Sequence, residues 1–149
     1  MNFGSSFGIS ASALTAQRLR MDVISSNIAN AETTRASVVD GKAVPYRRKL
    51  VVLETEQRDS FSDMLNAKMN AGSTDGVKVS SIIEDASPLK PVYNPSHPDA
   101  DADGYVYMPN VDVTKEMVDM LSASRSYEAN VTMLNASKAM VTKALEIGR

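Results

Sequence analysis

From about Ser5 to Thr33 the chain has no proline and, after Gly8, no glycine, and Phe7, Leu14, Met21 and Ile28 recur at every seventh residue. An unbroken apolar repeat of that period predicts one long helix carrying a hydrophobic stripe along its length. A second series, Ile9, Ala16 and Val23, lies two positions further on, and Ile24 and Ala31 flank the first. The apolar surface is therefore wider than a single seam requires, with Arg18, Arg20, Asp22 and Glu32 on the remaining face.

The C-terminal segment repeats this design more strongly. Val113, Met120, Tyr127, Leu134 and Val141 form an uninterrupted seven-residue series, with Met117, Val131 and Leu145 four residues after members of it, where the adjacent seam position falls. Ser124 and Lys138 interrupt that adjacent seam, and Met133, Met140 and Ile147 lie on a further flank. Asp112 follows Pro109 and Asn110 and suits an N-cap, while Gly148 suits the end, so the helix is expected from about Asp112 to Ile147, a rod of ~50 Å at about 1.5 Å per residue.

Between these helices the period changes. Leu50 to Leu53, within Pro45 to Glu54, is a short continuous apolar run that predicts a buried strand, led by Arg47, Arg48 and Lys49. Val77 to Ile83 is a second expected strand, preceded by a flexible stretch from Asn70 to Gly76, and Tyr105 to Met108 a third. Phe61, Met64, Leu65 and Met69 have helical spacing. Ser87 to Pro98 holds four of the six prolines and is expected to be an extended connection. The fold class is therefore α+β: long terminal helices paired as a coiled-coil-like hairpin, with a small β-rich middle. The expected divisions are 1–35 for the N-terminal helix, 36–109 for the middle and 110–149 for the C-terminal helix.

At 149 residues, length allows one domain with extended arms. Nine methionines, no tryptophan and 5% aromatics favour helix packing through aliphatic, Ala and Met side chains over an aromatic-lined pocket. A net charge of −2 without a basic stripe argues against nucleic acid as a partner. Zero cysteines exclude a disulfide framework. No membrane span and no cleavable Sec-type signal are expected.

Candidate chemistry is sparse. Asp99, Asp101, Asp103 and Gly104 reproduce the opening of a calcium-binding loop, which would make the chain a small calcium-binding adaptor. The position that should hold a closing glutamate is Asn110, and prolines replace the preceding helix, so a solvated acidic turn is the favoured reading and no metal or cofactor is expected. His97 is the only histidine and has no Gly-x-Ser-x-Gly turn to serve, so no catalytic residues are assigned. Arg47, Arg48 and Lys49 fit protection of a strand edge better than an acidic partner. Asn27, Asn30, Thr33 and Thr34 suit either a helix C-cap or the binding of backbone groups in a neighbouring chain.

Ser26-Asn27-Ile28-Ala29-Asn30-Ala31-Glu32-Thr33 resembles the N-terminal signature of the bacterial flagellar axial proteins, the rod, hook and hook-associated group. Asn27, Ala29, Asn30 and Thr33 carry that motif. Most members continue with x-Gly-Tyr or x-Gly-Phe. Here Thr34-Arg35 follows, and that departure, with Pro45 to Lys49, Pro95 to Val106, Pro109 to Val111, and Glu116 to Met120 and Ser124 to Asn130 in the final helix, is similar to the proximal rod members. The resemblance implies a non-enzymatic rod subunit of the basal body in the periplasmic space, within the shaft that passes motor torque to hook and filament. It implies as partners further copies of the chain, neighbouring rod proteins and, during secretion, the flagellar type III export apparatus. Another axial rod or hook subunit is the alternative within the group. The stripe residues named above, from Phe7 to Ile28 and from Val113 to Leu145, are then the expected subunit-packing positions.

Overall fold

The computed structural model describes residues 3–39, 42–56 and 76–147. Helix α1 spans Phe3–Ala29 and α2 spans Val113–Ile147. Between them lie strands β1 (Ser37–Val39), β2 (Lys42–Val44), β3 (Lys49–Glu56), β4 (Gly76–Glu84), β5 (Lys90–Tyr93) and β6 (Tyr105–Met108). The fold is α+β: the terminal helices pack together, and the strands pair as three separate two-stranded sheets, β1–β2, β3–β4 and β5–β6. The short helix expected around Phe61 to Met69 lies outside the described residues.

Helix ends follow local chemistry. The Asp112 Oδ1 accepts from the amides of Thr114 and Lys115 at 3.0 and 3.4 Å, so the expected N-cap satisfies donors that the first turn leaves open. At the other junction α1 stops at Ala29, four residues before the expected Thr33. Asn30 donates its side-chain amide to the Ser26 carbonyl at 2.9 Å, and the Thr33 amide donates to the Asn30 carbonyl at 3.1 Å, so side chain and turn take over the last carbonyls.

Two expectations are corrected. The Leu50 to Leu53 run forms part of β3 but is not buried, Leu50, Val51 and Val52 being half-buried and Leu53 39% exposed. Ser87 to Pro98 is not merely an extended connection, because Lys90–Tyr93 inside it forms β5, antiparallel to β6, with Val92 opposite Val106 and Tyr93 opposite Tyr105. Pro91 is tolerated because a two-stranded sheet has only edge strands, where a missing donor can face outward. The hairpin closes through Gly104 at φ +77°, where a Cβ would stand 3.0 Å from the Tyr93 ring, so only glycine fits. The β1–β2 hairpin was not among the expected strands; it pairs Ser37 with Val44 and Val38 with Ala43.

Two compact units divide the chain. One comprises Met1–Arg20, Val52–Ser81 and Ala123–Arg149; the other comprises Met21–Val51 and Ile82–Ser122. In the first, Ala16, Ala123 and Ser137 are buried, and the Val77 amide donates to the Ser12 hydroxyl at 3.2 Å. In the second, Val23, Ile24, Tyr46, Val106 and Val111 form the apolar core around the buried side chains of Asn27 and Glu116.

Candidate functional site

The most constrained residues sit where β3 begins. The Asn27 side chain, 1% exposed, donates to the Lys49 carbonyl at 2.9 Å and accepts from the Lys49 amide at 2.9 Å, completing both backbone groups as a neighbouring strand would. Its Oδ1 also accepts from the Tyr46 hydroxyl at 2.9 Å, and its Nδ2 donates to Glu116 Oε2 at 3.0 Å. One residue earlier, Asn110 does a similar service: its Oδ1 accepts from the Arg48 amide at 2.8 Å, and its Nδ2 lies 3.2 and 3.3 Å from the carbonyls of Asp85 and Ser87. Two asparagines, one from α1 and one from just before α2, thus hold Arg48 and Lys49, the residue before β3 and its first.

Charge completes the cluster. Glu116 is 1% exposed and accepts from Arg48 Nε at 2.6 Å, and the same guanidinium reaches Asp119 at 3.5 Å and Asp85 at 3.7 Å. A carboxylate this deeply buried is tolerable only with a cation and hydrogen bonds, and Arg48 and Asn27 supply them. Two hydrogen bonds from Ser87, side chain and then backbone, hold the Asp85 carboxyl below its ordinary range, with Arg48 adding to the effect. At the centre of the basic trio the expected choice between edge protection and an outside acidic partner gives way to internal pairing. Arg48 is consumed inside the chain, while Lys49 Nζ lies 5.7 Å from the Tyr46 ring centre.

The acidic turn is also used internally. Asp99 accepts from the Thr34 hydroxyl at 2.9 Å and from two guanidinium nitrogens of Arg35. These bonds, Arg35 first and Thr34 second, hold its carboxyl below the usual carboxylate range. His97 Nδ1 accepts from the Asp99 amide at 3.1 Å. Asn110, standing where a calcium loop needs its closing glutamate, is the strand staple just described. The first potential calcium ligand is thus a clasp to the residues that follow α1; Asp101 and Asp103 are solvated as expected of the turn, whereas Asp99 is not, its side chain being 8% exposed. Among the described residues no three His, Cys, Asp or Glu side chains gather as a metal-binding group.

The expected packing positions separate into three sets. Phe7, Leu14, Met21 and Ile28 on α1 are half-buried, and the deepest burial falls instead on Asn27, Ala16, Ile24 and Val23. On α2 the deepest positions are Glu116, Ala123 and Ser137, spaced by multiples of seven, a line of small or polar residues that a search for hydrophobic side chains passes over. Met120, Tyr127, Val131, Leu134 and Val141 border that line and are half-buried. Val113, Met117 and Leu145 are exposed, as are Val118, Leu121, Met133 and Met140. Of the motif residues, Asn27 is the staple, Asn30 and Thr33 form the turn, with Thr33 Oγ1 3.2 Å from Asn30 Oδ1, and Ala29 is the exposed last residue of α1. Tyr46, Arg48 and Glu116 complete the site without having been expected in it. The available signal was a lone glutamate standing seven residues before Ala123 on a helix face otherwise small or apolar.

The same segments decide the chain's relationships. Residues 7–36 match the model of the flagella basal body rod protein family, and residues 102–147 match the C-terminal model of the flagellar basal body rod FlgEFG proteins. The flagellar basal-body rod protein FlgC of Bacillus subtilis is 60% identical over 97% of both chains. The FlgC proteins of Escherichia coli O6:H1 and Borreliella burgdorferi are 49% and 46% identical over at least 96% of each chain. The chain belongs to the FlgC family of flagellar basal-body rod proteins. The two family models cover the helices and their junctions, whereas the FlgC relatives align through the middle as well, so it is their near full-length match that selects FlgC within the axial group. In a FlgC-family rod protein, which is structural and not enzymatic, exposed apolar side chains and internally committed charges read as parts of a building block. No helix among the described residues is long and apolar enough to cross a membrane.

Proposed function

We propose that this chain is a structural subunit of the flagellar basal-body rod that assembles by burying the outer flanks of its terminal helices against other rod subunits. The supporting observation is the set of exposed apolar side chains on the flanks of α2, Met117, Val118, Leu121, Met133, Met140 and Leu145, each between 56% and 71% exposed. Apolar surface of that extent along one helix is costly in water and is normally covered by a partner. Partners of the same chemistry are further copies of the chain and neighbouring rod proteins. Residues 1–35 and 110–149 then supply the inner, polymer-forming layer and residues 36–109 the part outside it. Phe7, Leu14, Met21 and Ile28 on α1, with Val113, Met117, Met120, Tyr127, Val131, Leu134, Val141 and Leu145 on α2, are its packing positions. Before assembly, in this reading, the chain passes through the flagellar type III export apparatus to a periplasmic rod.

A strain lacking the gene should be non-motile and its basal bodies, viewed by electron microscopy, should lack a complete rod. Complementation with Leu134→Asp or Met120→Asp should restore secretion of the chain but not its incorporation. Complete rods in the deletion strain would refute the proposal. Equal loss of secretion and incorporation in the variants would show that the helix flanks are not assembly devices.

A further inference from the structure

The unit containing Met21–Val51 and Ile82–Ser122 carries two unlike apolar features on its own surface. One is a groove of about 420 Å³ walled by Val23, Ile82 and Ile83, with Asp22 and Glu84 at its exposed rim and Lys49 deeper. The other is a projection on the first turns of α2, where Met117, Val118 and Leu121 are 60%, 63% and 60% exposed. The spacings 117 to 121 and 118 to 121 put these three side chains on one helix face. Exposed Lys115, three residues before Val118, adds a positive edge.

Hollow and projection match in chemistry: aliphatic walls for aliphatic side chains, and an acidic rim for a lysine. Because they are different surfaces of one unit, a copy that offers its projection to a neighbour still has its own groove free. Such a heterologous contact repeats into a ring or an open helical string, whereas an isologous contact would close at two copies. We infer that the Met117–Val118–Leu121 face of one copy seats in the Val23–Ile82–Ile83 groove of the next copy, with Lys115 against the Asp22 and Glu84 rim. This rests on the rod-subunit reading and adds the residues through which like copies meet.

The chain has no cysteine, so introduced thiols report only on the intended contact. Ile83→Cys and Leu121→Cys are expressed together as separate copies, and isolated basal bodies are treated with a short bis-maleimide. A cross-linked dimer of the chain should appear that neither variant yields alone. Absence of that dimer, with both variants present in the basal bodies, overturns the inference and leaves the rod-subunit reading standing, as would a dimer from either variant alone. Absence of the unmodified chain from wild-type basal bodies would remove the rod-subunit reading, and the inference with it. Should a cysteine variant fail to incorporate, the rim charge decides. Glu84→Lys and Lys115→Glu should each reduce swimming and the double variant should regain it, and no recovery in the double variant overturns the inference.

Discussion

The described residues of the two compact units are buried in different ways. Around Asn27, Arg48 and Glu116, buried polar groups meet one another at 2.6–3.0 Å and fix the start of β3 residue by residue. Among the described residues of the other unit the buried side chains are Ala16, Ala123 and Ser137, too small to bury much apolar area, while Met133 and Met140 face water. Directional polar contacts specify a unique geometry within one chain. Small seams bordered by exposed methionines leave apolar area for others to cover. The first arrangement suits a region that must be right before assembly, the second one that is completed by it.

Substitutions can test that contrast, beginning with the largest effect. Arg48→Ala leaves the Glu116 carboxylate buried without its cation and should destabilise the free chain by about 3–5 kcal/mol, measured by urea unfolding. Asn27→Ala removes the side-chain partner of both Lys49 backbone groups and leaves the Tyr46 hydroxyl only its 3.5 Å contact with Ser26, for an expected loss of about 1–3 kcal/mol. Asp112→Ala removes the α2 cap and should cost about 0.5–2 kcal/mol. Met133→Asp should shift free-chain stability by less than about 0.5 kcal/mol while abolishing incorporation into basal bodies. If Arg48→Ala were mild and Met133→Asp severe in the free chain, the contrast between the units would be reversed.

Acid offers a gentler test. Asp99 has a folded pKa below its unfolded value, so its contribution to stability is present above the unfolded pKa and is lost as pH falls through the folded one. Acid titration of the Arg35–Asp99 clasp should therefore weaken the folded chain below the ordinary carboxylate range, and Asp99→Asn should flatten that part of the stability profile. An unchanged profile in the variant would show that the clasp does not contribute.

What was legible from sequence was whatever periodicity or capping dictates. The two helices, the Asp112 cap, and strands at Leu50, Val77 and Tyr105 follow from spacing and turn residues. β5 was obscured by Pro91, which argues against a strand unless both strands of the sheet are edges. β1–β2 pairs runs of three residues, too short to carry a pattern. The Asn27 staple and the Arg48–Glu116 pair join residues 22 to 89 positions apart, a separation that local patterning does not encode. The deepest helix seam was hidden for a further reason: it is built from Glu, Ala and Ser, so hydrophobic counting marks its borders and not its centre.

Methionine oxidation reads the sulfur atoms that assembly with other subunits would cover. Dilute peroxide should oxidise Met117, Met133 and Met140 rapidly in the free chain, with Met120 slower as the half-buried internal control, and mass spectrometry should find all three protected in intact basal bodies. Equal oxidation of these methionines in the free and assembled chain would show that assembly leaves the α2 flanks uncovered.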